Sequence, residues 1–169
     1  TTHFSTRVCA ERCRRAQDMG AAMVMVMPPY HGATFRVPEE QIYGFFQQLS
    51  DAVAIPIMIQ DAPASGTPMP APFLARMARE IPGVDAVKIE TMPPAPKVGA
   101  VAALDHGDAA VLGGAGGIDF YHEMERGADG TVPGVAMAEL FIAVQGLHQA
   151  GDRDGARRLD AVSRGLRLR

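Results

Sequence analysis

The sequence predicts an α/β fold built on parallel strands, and three observations carry that prediction. Short apolar β-like runs recur at 21–27, 55–60, 84–90, 109–114 and 130–135. Helical patterns separate them, as crossover connections between parallel strands require. Several of the runs are nearly continuous in Ala, Val, Ile, Leu and Met, the pattern of strands buried on both faces. Two architectures meet these conditions: a doubly wound open sheet, or part of a (β/α)8 barrel. A complete barrel has eight strand–helix units and about 250 residues, so five units in 169 residues fit it only as a partial barrel.

The elements follow in order. A first helix, from Ser5 to Met19, carries Val8, Cys9, Cys13 and Ala16 on one side. Pro38-Glu39-Glu40 opens a second helix, because proline suits a first turn and acids suit the positive end of the helix dipole. Ile42, Phe45, Leu49 and Val53 repeat on it with a helical period. Phe73, Met77 and Ile81 mark a third helix, and a weaker one spans about 94 to 106. Ile118 to Arg126 reads as a helix closed by Gly127. Met137, Leu140, Phe141, Val144 and Leu147 form a stripe closed by Gly151, and a last helix covers about 153 to 166.

Composition narrows the function. A chain with 47% hydrophobic and 21% charged residues reads as soluble and globular. A net charge of −3 gives no general attraction to nucleic acid or anionic membrane. The arginines Arg164, Arg167 and Arg169 fit a solvated helix end. No apolar run approaches the ~20 residues of a membrane span, and TTHFSTR at the start has no signal-peptide core. The expectation is a cytoplasmic protein. Cys9 and Cys13 lie four apart on one helix, where a disulfide would be poorly oriented, so they read as two buried thiols rather than as a metal pair with His3. The five histidines show no metal-ligand spacing, and Met23, Met25 and Met27 read as core. No metal or cofactor is implied.

Polar and glycine-rich residues gather just after the runs: PPYHG, QDAPASG, AGG and PG. In parallel α/β folds the C-terminal ends of the strands carry the site. The run GGAGG at 113–117 fails the dinucleotide fingerprint, since the third glycine position counted from Gly114 is Asp119. It fits a tight turn that lets a small ligand approach the backbone better than it fits a phosphate site.

Lys88 is the unusual residue. The chain has two lysines, Lys88 and Lys97, and Lys88 sits inside an apolar strand between Val87 and Ile89. With a period of two, Ala86, Lys88 and Glu90 share one face of that strand. If this face lines a barrel interior, desolvation lowers the lysine pKa and leaves an amine able to condense with a carbonyl. The alternative is a strand-edge lysine that reaches water or pairs with Glu90 or Asp85.

The order GAAMVMVMPPYHG, IPIMIQDAPASG, VDAVKIE, AAVLGG, RGADGTVPG resembles the dihydrodipicolinate synthase / N-acetylneuraminate lyase family, collinearly over nearly the whole chain. The resemblance implies a (β/α)8 barrel of which this chain covers about strands 4–8, with residues 1–135 as partial barrel and 136–169 as the last barrel helix and the start of a C-terminal helical extension. It implies a class I lyase or aldolase that binds pyruvate or a related 2-oxo acid, without cofactor, as a homo-oligomeric dimer or tetramer. Lys88 would form the imine. Gly114 matches a glycine beside the substrate and Val132 an apolar position beside the bound 2-oxo acid. Tyr30-His31 matches a Tyr-Tyr pair whose second member reaches a neighbouring subunit's site, and both residues are candidates for proton traffic. Gln60 stands where the family's proton-relaying tyrosine stands, and a glutamine amide can orient a water or carbonyl but cannot transfer a proton. Ser65, in Ala64-Ser65-Gly66, replaces the synthases' arginine region and is closer to the sialic-acid-lyase branch. The family's carboxylate-binding threonine or serine pair has no counterpart. The principal expectation is therefore a lyase making or breaking a C–C bond. The alternatives are a non-catalytic barrel remnant that binds a 2-oxo acid, and a dehydratase of a 2-keto-3-deoxy sugar acid, which would lose water without releasing an aldehyde fragment.

Overall fold

A computed structural model describes residues 1–29, 37–67 and 69–167. Among these residues five strands form one sheet: β1 (Val24–Val26), β2 (Ile57–Asp61), β3 (Val84–Ile89), β4 (Ala110–Gly113) and β5 (Gly130–Thr131). Every pairing is parallel and the spatial order is β1-β2-β3-β4-β5. A doubly wound sheet reverses its strand order at a switch point. A sheet whose spatial order equals its chain order has none, and that is the connectivity of a (β/α) barrel.

The helices are α1 (Thr6–Asp18), α2 (Glu39–Ser50), α3 (Ala71–Glu80), α4 (Pro94–Ala102), α5 (Phe120–Met124), α6 (Ala138–Gln149) and α7 (Arg153–Arg167). Proline precedes or opens α2, α3 and α4, where a missing N–H costs nothing. Cys9 and Cys13 of α1, Ile42, Phe46 and Leu49 of α2, Phe73 and Met77 of α3, and Val98 and Val101 of α4 pack into one core. From the sheet that core takes Val26, Ile59, Val87, Ile89 and Val111. The helices α1 to α4 thus cover one face, and Met58, Gln60, Lys88 and Leu112 lie on the other, in register across β2, β3 and β4. A second cluster joins α5, α6 and α7 through Phe120, Tyr121, Met124, Phe141, Val144 and Ala156. Arg164 of α7 bonds Asp160 one turn back at 2.8 Å and reaches Asp119, before α5, at 3.7 Å.

Several elements are shorter than the sequence predicts. The expected strand over 130–135 ends at Thr131. Val132 still donates its N–H to Gly113 O at 3.0 Å, but Pro133 has no N–H and cannot continue the ladder. The expected strand over 21–27 narrows to Val24–Val26. Beyond that span its backbone bonds side chains instead: Met27 N–H donates to Thr2 Oγ1 at 3.0 Å. The expected helix over 118–126 contracts to Phe120–Met124, preceded by a 3-10 turn at Ala115–Gly117, and the one from 94 stops at Ala102. Val53 and Ile81 lie just past the helices they were assigned to, although Ile81 is buried in the core. Both thiols are free and buried, as expected. No helix among the described residues is long and apolar enough to cross a membrane.

Candidate active site

Lys88 is the penultimate residue of β3, flanked in register by Gln60 of β2 and Leu112 of β4. The alternation set by Val87 and Ile89, both fully buried under the helices, turns Lys88 to the opposite face. The lysine is only 7% exposed, so it is neither an edge residue nor a snorkelling one. Its Nζ lies 3.1 Å from Glu90 Oε1. The pairing of the strand-edge alternative is therefore present, but inside the inner face rather than at the surface.

Glu90 follows β3 on the Lys88 side and is held from three directions. Gln60 Nε2 donates to its Oε2 at 2.6 Å, Ala115 N–H donates to its Oε1 at 3.1 Å, and Lys88 supplies the ion pair. Burial alone would raise its pKa, but the bonds from Gln60, Ala115 and Lys88 outweigh that and hold the carboxyl below the usual carboxylate range. Glu90 was legible only as a salt-bridge partner for Lys88. The period of two already placed it on the same face, and the missing signal was the backbone N–H of Ala115, which only the fold brings there.

Gly114 explains how two side chains share this space. A Cβ added there would meet Glu90 Cγ and would lie 2.7 Å from Lys88 Cε. A glycine there lets the backbone approach the lysine and the glutamate closely. Gly114, with φ −150° and ψ −129°, orients the next peptide so that the Ala115 N–H reaches Glu90, and Ala115 itself takes a left-handed φ of 48°.

The other predicted residues divide. Gln60 joins the Lys88–Glu90 group directly. Val132 lies beside β4, half-buried, through its bond to Gly113. Ser65 is 1% exposed and its hydroxyl closes a turn with Thr67, bonding Thr67 N and O at 3.1 and 3.2 Å. Those bonds are local and do not reach the lysine. Tyr30 and His31 lie outside the described residues. A second polar group stands behind the first: Asp61, 1% exposed, binds Lys97 at 2.7 Å and Thr91 at 2.7 Å, which ties the end of β2 to the start of α4. A cleft of about 490 Å³ lined by Val37, Thr67, Met69 and Lys97, among others, does not include Lys88. Among the described residues no three His, Cys, Asp or Glu side chains group in a way that could hold a metal.

Parallel strands in chain order, helices on one face and a buried lysine at the C-terminal end of the other are the arrangement of part of a (β/α) barrel, with an amine at the C-terminal ends of its strands. No family model matches the chain. It is 56% identical over 137 residues to an L-2-keto-3-deoxyarabonate dehydratase of Azospirillum brasilense, covering 79% of this chain and 44% of that protein. It is 36% identical over 86 residues to a 4-hydroxy-tetrahydrodipicolinate synthase of Corynebacterium jeikeium, covering 50% of this chain and 27% of that one. The structure superposes on chloride-inhibited dihydrodipicolinate synthase of Acinetobacter baumannii, solved with pyruvate, with a TM-score of 0.84 and 25% identity over 96% of this chain and 55% of that one. The chain belongs to the dihydrodipicolinate synthase family, and it spans about half the length of the relatives it matches.

Proposed function

We propose that this chain is the lysine-bearing part of a dehydratase acting on a 2-keto-3-deoxy sugar acid, with Lys88 as the imine-forming residue. The observation that carries the reading is the 56% identity over 137 residues to the Azospirillum brasilense L-2-keto-3-deoxyarabonate dehydratase. It favours the dehydratase, an alternative at the sequence level, over the C–C lyase that the sequence placed first.

The site supports it chemically. An amine held on the inner face at the C-terminal strand ends can attack the C2 carbonyl of a 2-oxo acid and expel water to give an iminium. That iminium acidifies the C3 hydrogens. Loss of a C3 proton gives an enamine, and the enamine expels the C4 hydroxyl as water. Breaking the C3–C4 bond instead requires a base that removes the C4 hydroxyl proton. Gln60, in register with Lys88, stands in this reading for the family tyrosine, and an amide cannot be that base. The five strands correspond, in this reading, to strands 4–8 of the complete barrel.

The test offers the full-length protein a 2-keto-3-deoxy pentonate. Loss of one water with no pyruvate formed, followed by NMR, is the expected result. Pyruvate as the main product returns the protein to the aldolases. Borohydride with pyruvate should leave a reduced adduct on the Lys88 peptide, and a wild-type protein with no such adduct ends the imine reading.

A further inference from the structure

The two lysines of the chain each close a polar group where β2 and β3 end, one on each face of the sheet. On the inner face Lys88 pairs with Glu90, which Gln60 bonds. One residue further along each strand, Asp61 and Thr91 form the second group with Lys97 on the helix side. We propose that this outer group is a positioning device. Asp61, Thr91 and Lys97 touch no reacting atom, and they hold the inner-face residues around Lys88 in the geometry that turnover needs. This rests on the imine reading of Lys88.

Closure is the first support. Asp61 is 1% exposed and shares its face of β2 with Ile57 and Ile59. Its Oδ2 accepts the Thr91 hydroxyl at 2.7 Å and lies 2.7 Å from Lys97 Nζ, which also donates to Thr91 Oγ1 at 3.3 Å. The three side chains therefore close a triangle. Connectivity is the second. The Asp61 carbonyl accepts Glu90 N–H at 2.9 Å while its side chain accepts Thr91, so one residue at the end of β2 grips two consecutive residues past β3. Span is the third: Lys97 belongs to α4, and the triangle joins that helix to both strand ends. Energetics is the fourth. A buried ion pair is a poor source of stability, because desolvation offsets its attraction, and Ile57 and Ile59 show that apolar side chains pack well on this face. Directed bonds among charged groups add instead a single geometry.

The place of the triangle says what it holds. The register of β2 with β3 ends at the pair Asp61–Ile89. Lys88 lies inside that ladder, paired with Gln60 on one side and Leu112 on the other. Glu90 and Thr91 lie beyond it, and the bonds to Asp61 continue the connection where the ladder stops. Loosening the triangle should therefore leave the lysine in place and shift what stands beside it. The imine would still form, and the proton transfers at C3 would slow. Misplacement by about 1 Å can cost a reaction about 100-fold.

Thr91→Val tests this, since it removes one hydroxyl and keeps both the volume and the ion pair. The full-length protein is incubated with pyruvate in deuterium oxide. Exchange at the methyl group, which is C3, is followed by proton NMR, and the Lys88 adduct is measured in parallel by borohydride trapping and peptide mass. Thr91→Val should unfold in urea near the wild-type midpoint and yield the adduct normally, while exchange per adduct falls at least ~10-fold. Thr91→Ser restores the hydroxyl and should return the ratio to within threefold of wild type. Exchange per adduct within threefold of wild type in Thr91→Val overturns the proposal, and so does a fall that Thr91→Ser leaves unrepaired. If Thr91→Val does not fold, Asp61→Leu with Lys97→Met decides. That pair removes both charges together, so its urea midpoint should match or exceed wild type while exchange per adduct still falls at least ~10-fold. Unchanged exchange per adduct with a higher pyruvate requirement would assign Lys97 to ligand binding in the cleft it lines and overturn the proposal. Failure of both variants to fold makes the group structural and overturns it too. A wild-type protein without the adduct fails the imine reading, and this proposal with it.

Discussion

The two faces of the sheet divide the work of the molecule. On the helix side, Val26, Ile57, Ile59, Val87 and Ile89 are fully buried. On the other side Met23 and Met25, expected from the sequence in the core, are instead more than a third exposed, Met58, Gln60 and Leu112 are half-buried, and a lysine and a glutamate form an ion pair. Burial of an Ile or Val side chain is worth roughly 1.5–3 kcal/mol, so the helix side supplies the stability. The inner face can then hold an ion pair whose desolvation, by itself, is no source of stability. Adjacent residues of one strand, Lys88 and Ile89, belong to these two regimes, so mutations one position apart should have opposite signatures.

The largest effect is expected at Lys88. Lys88→Ala should reduce dehydration to the uncatalysed background and abolish the borohydride adduct, with the thermal midpoint changed far less than by a core deletion. Activity that survives would move the chemistry elsewhere on the inner face. Its counterpart is Ile89→Ala, which leaves a cavity under α3 and α4 and should cost about 2–5 kcal/mol in urea unfolding. The activity of the molecules that remain folded should be close to wild type. A silent Ile89→Ala would mean that the helix side is not the stabilising face.

Gly114→Ala sharpens the comparison because it adds volume to the inner face alone. The new methyl meets Lys88 Cε and Glu90 Cγ, and overpacking of this kind costs about 1–3 kcal/mol. The larger consequence should fall on turnover, since the atoms displaced are those of Lys88, the proposed imine residue, and its ion-pair partner. A fall in kcat that exceeds the fall in stability is the expected outcome, read from kinetics and urea melts on the same sample.

The sequence disclosed the helix side more fully than the inner one, for a physical reason. Apolar periodicity reports burial, so α1, α2, α3 and α6 were all visible from their stripes. Lys88 was legible because a lysine in an apolar strand violates that pattern. Gly114 was legible as a place of close approach but not by what approaches it. Strand order separated the barrel from the doubly wound sheet, and order is a non-local property that no window of residues contains. The bond from Ala115 N–H to Glu90 links positions 25 apart, and it too has no local sign. Ser65 differs from both: it is a polar residue at a suggestive place whose hydroxyl bonds its own turn.

The smallest expected effect is on a pH profile, and it tests whether Gln60 acts through Glu90. The folded-state pKa of Glu90 is depressed, so its charged form adds stability above the unfolded value of about 4.3, and that contribution is lost as pH falls through the lower folded value. Gln60→Ala removes the donor at 2.6 Å and leaves burial less opposed. The Glu90 pKa should then rise, and both the acid limb of kcat/KM and the acid loss of stability should move to higher pH in the same direction. Gln60→Glu would place a second carboxylate beside the first and should move the limb further the same way, because like charges resist joint ionisation. An acid limb that stays fixed in Gln60→Ala while kcat falls would mean that Gln60 contacts the substrate itself, and the amide would then belong to binding rather than to the support of its neighbour.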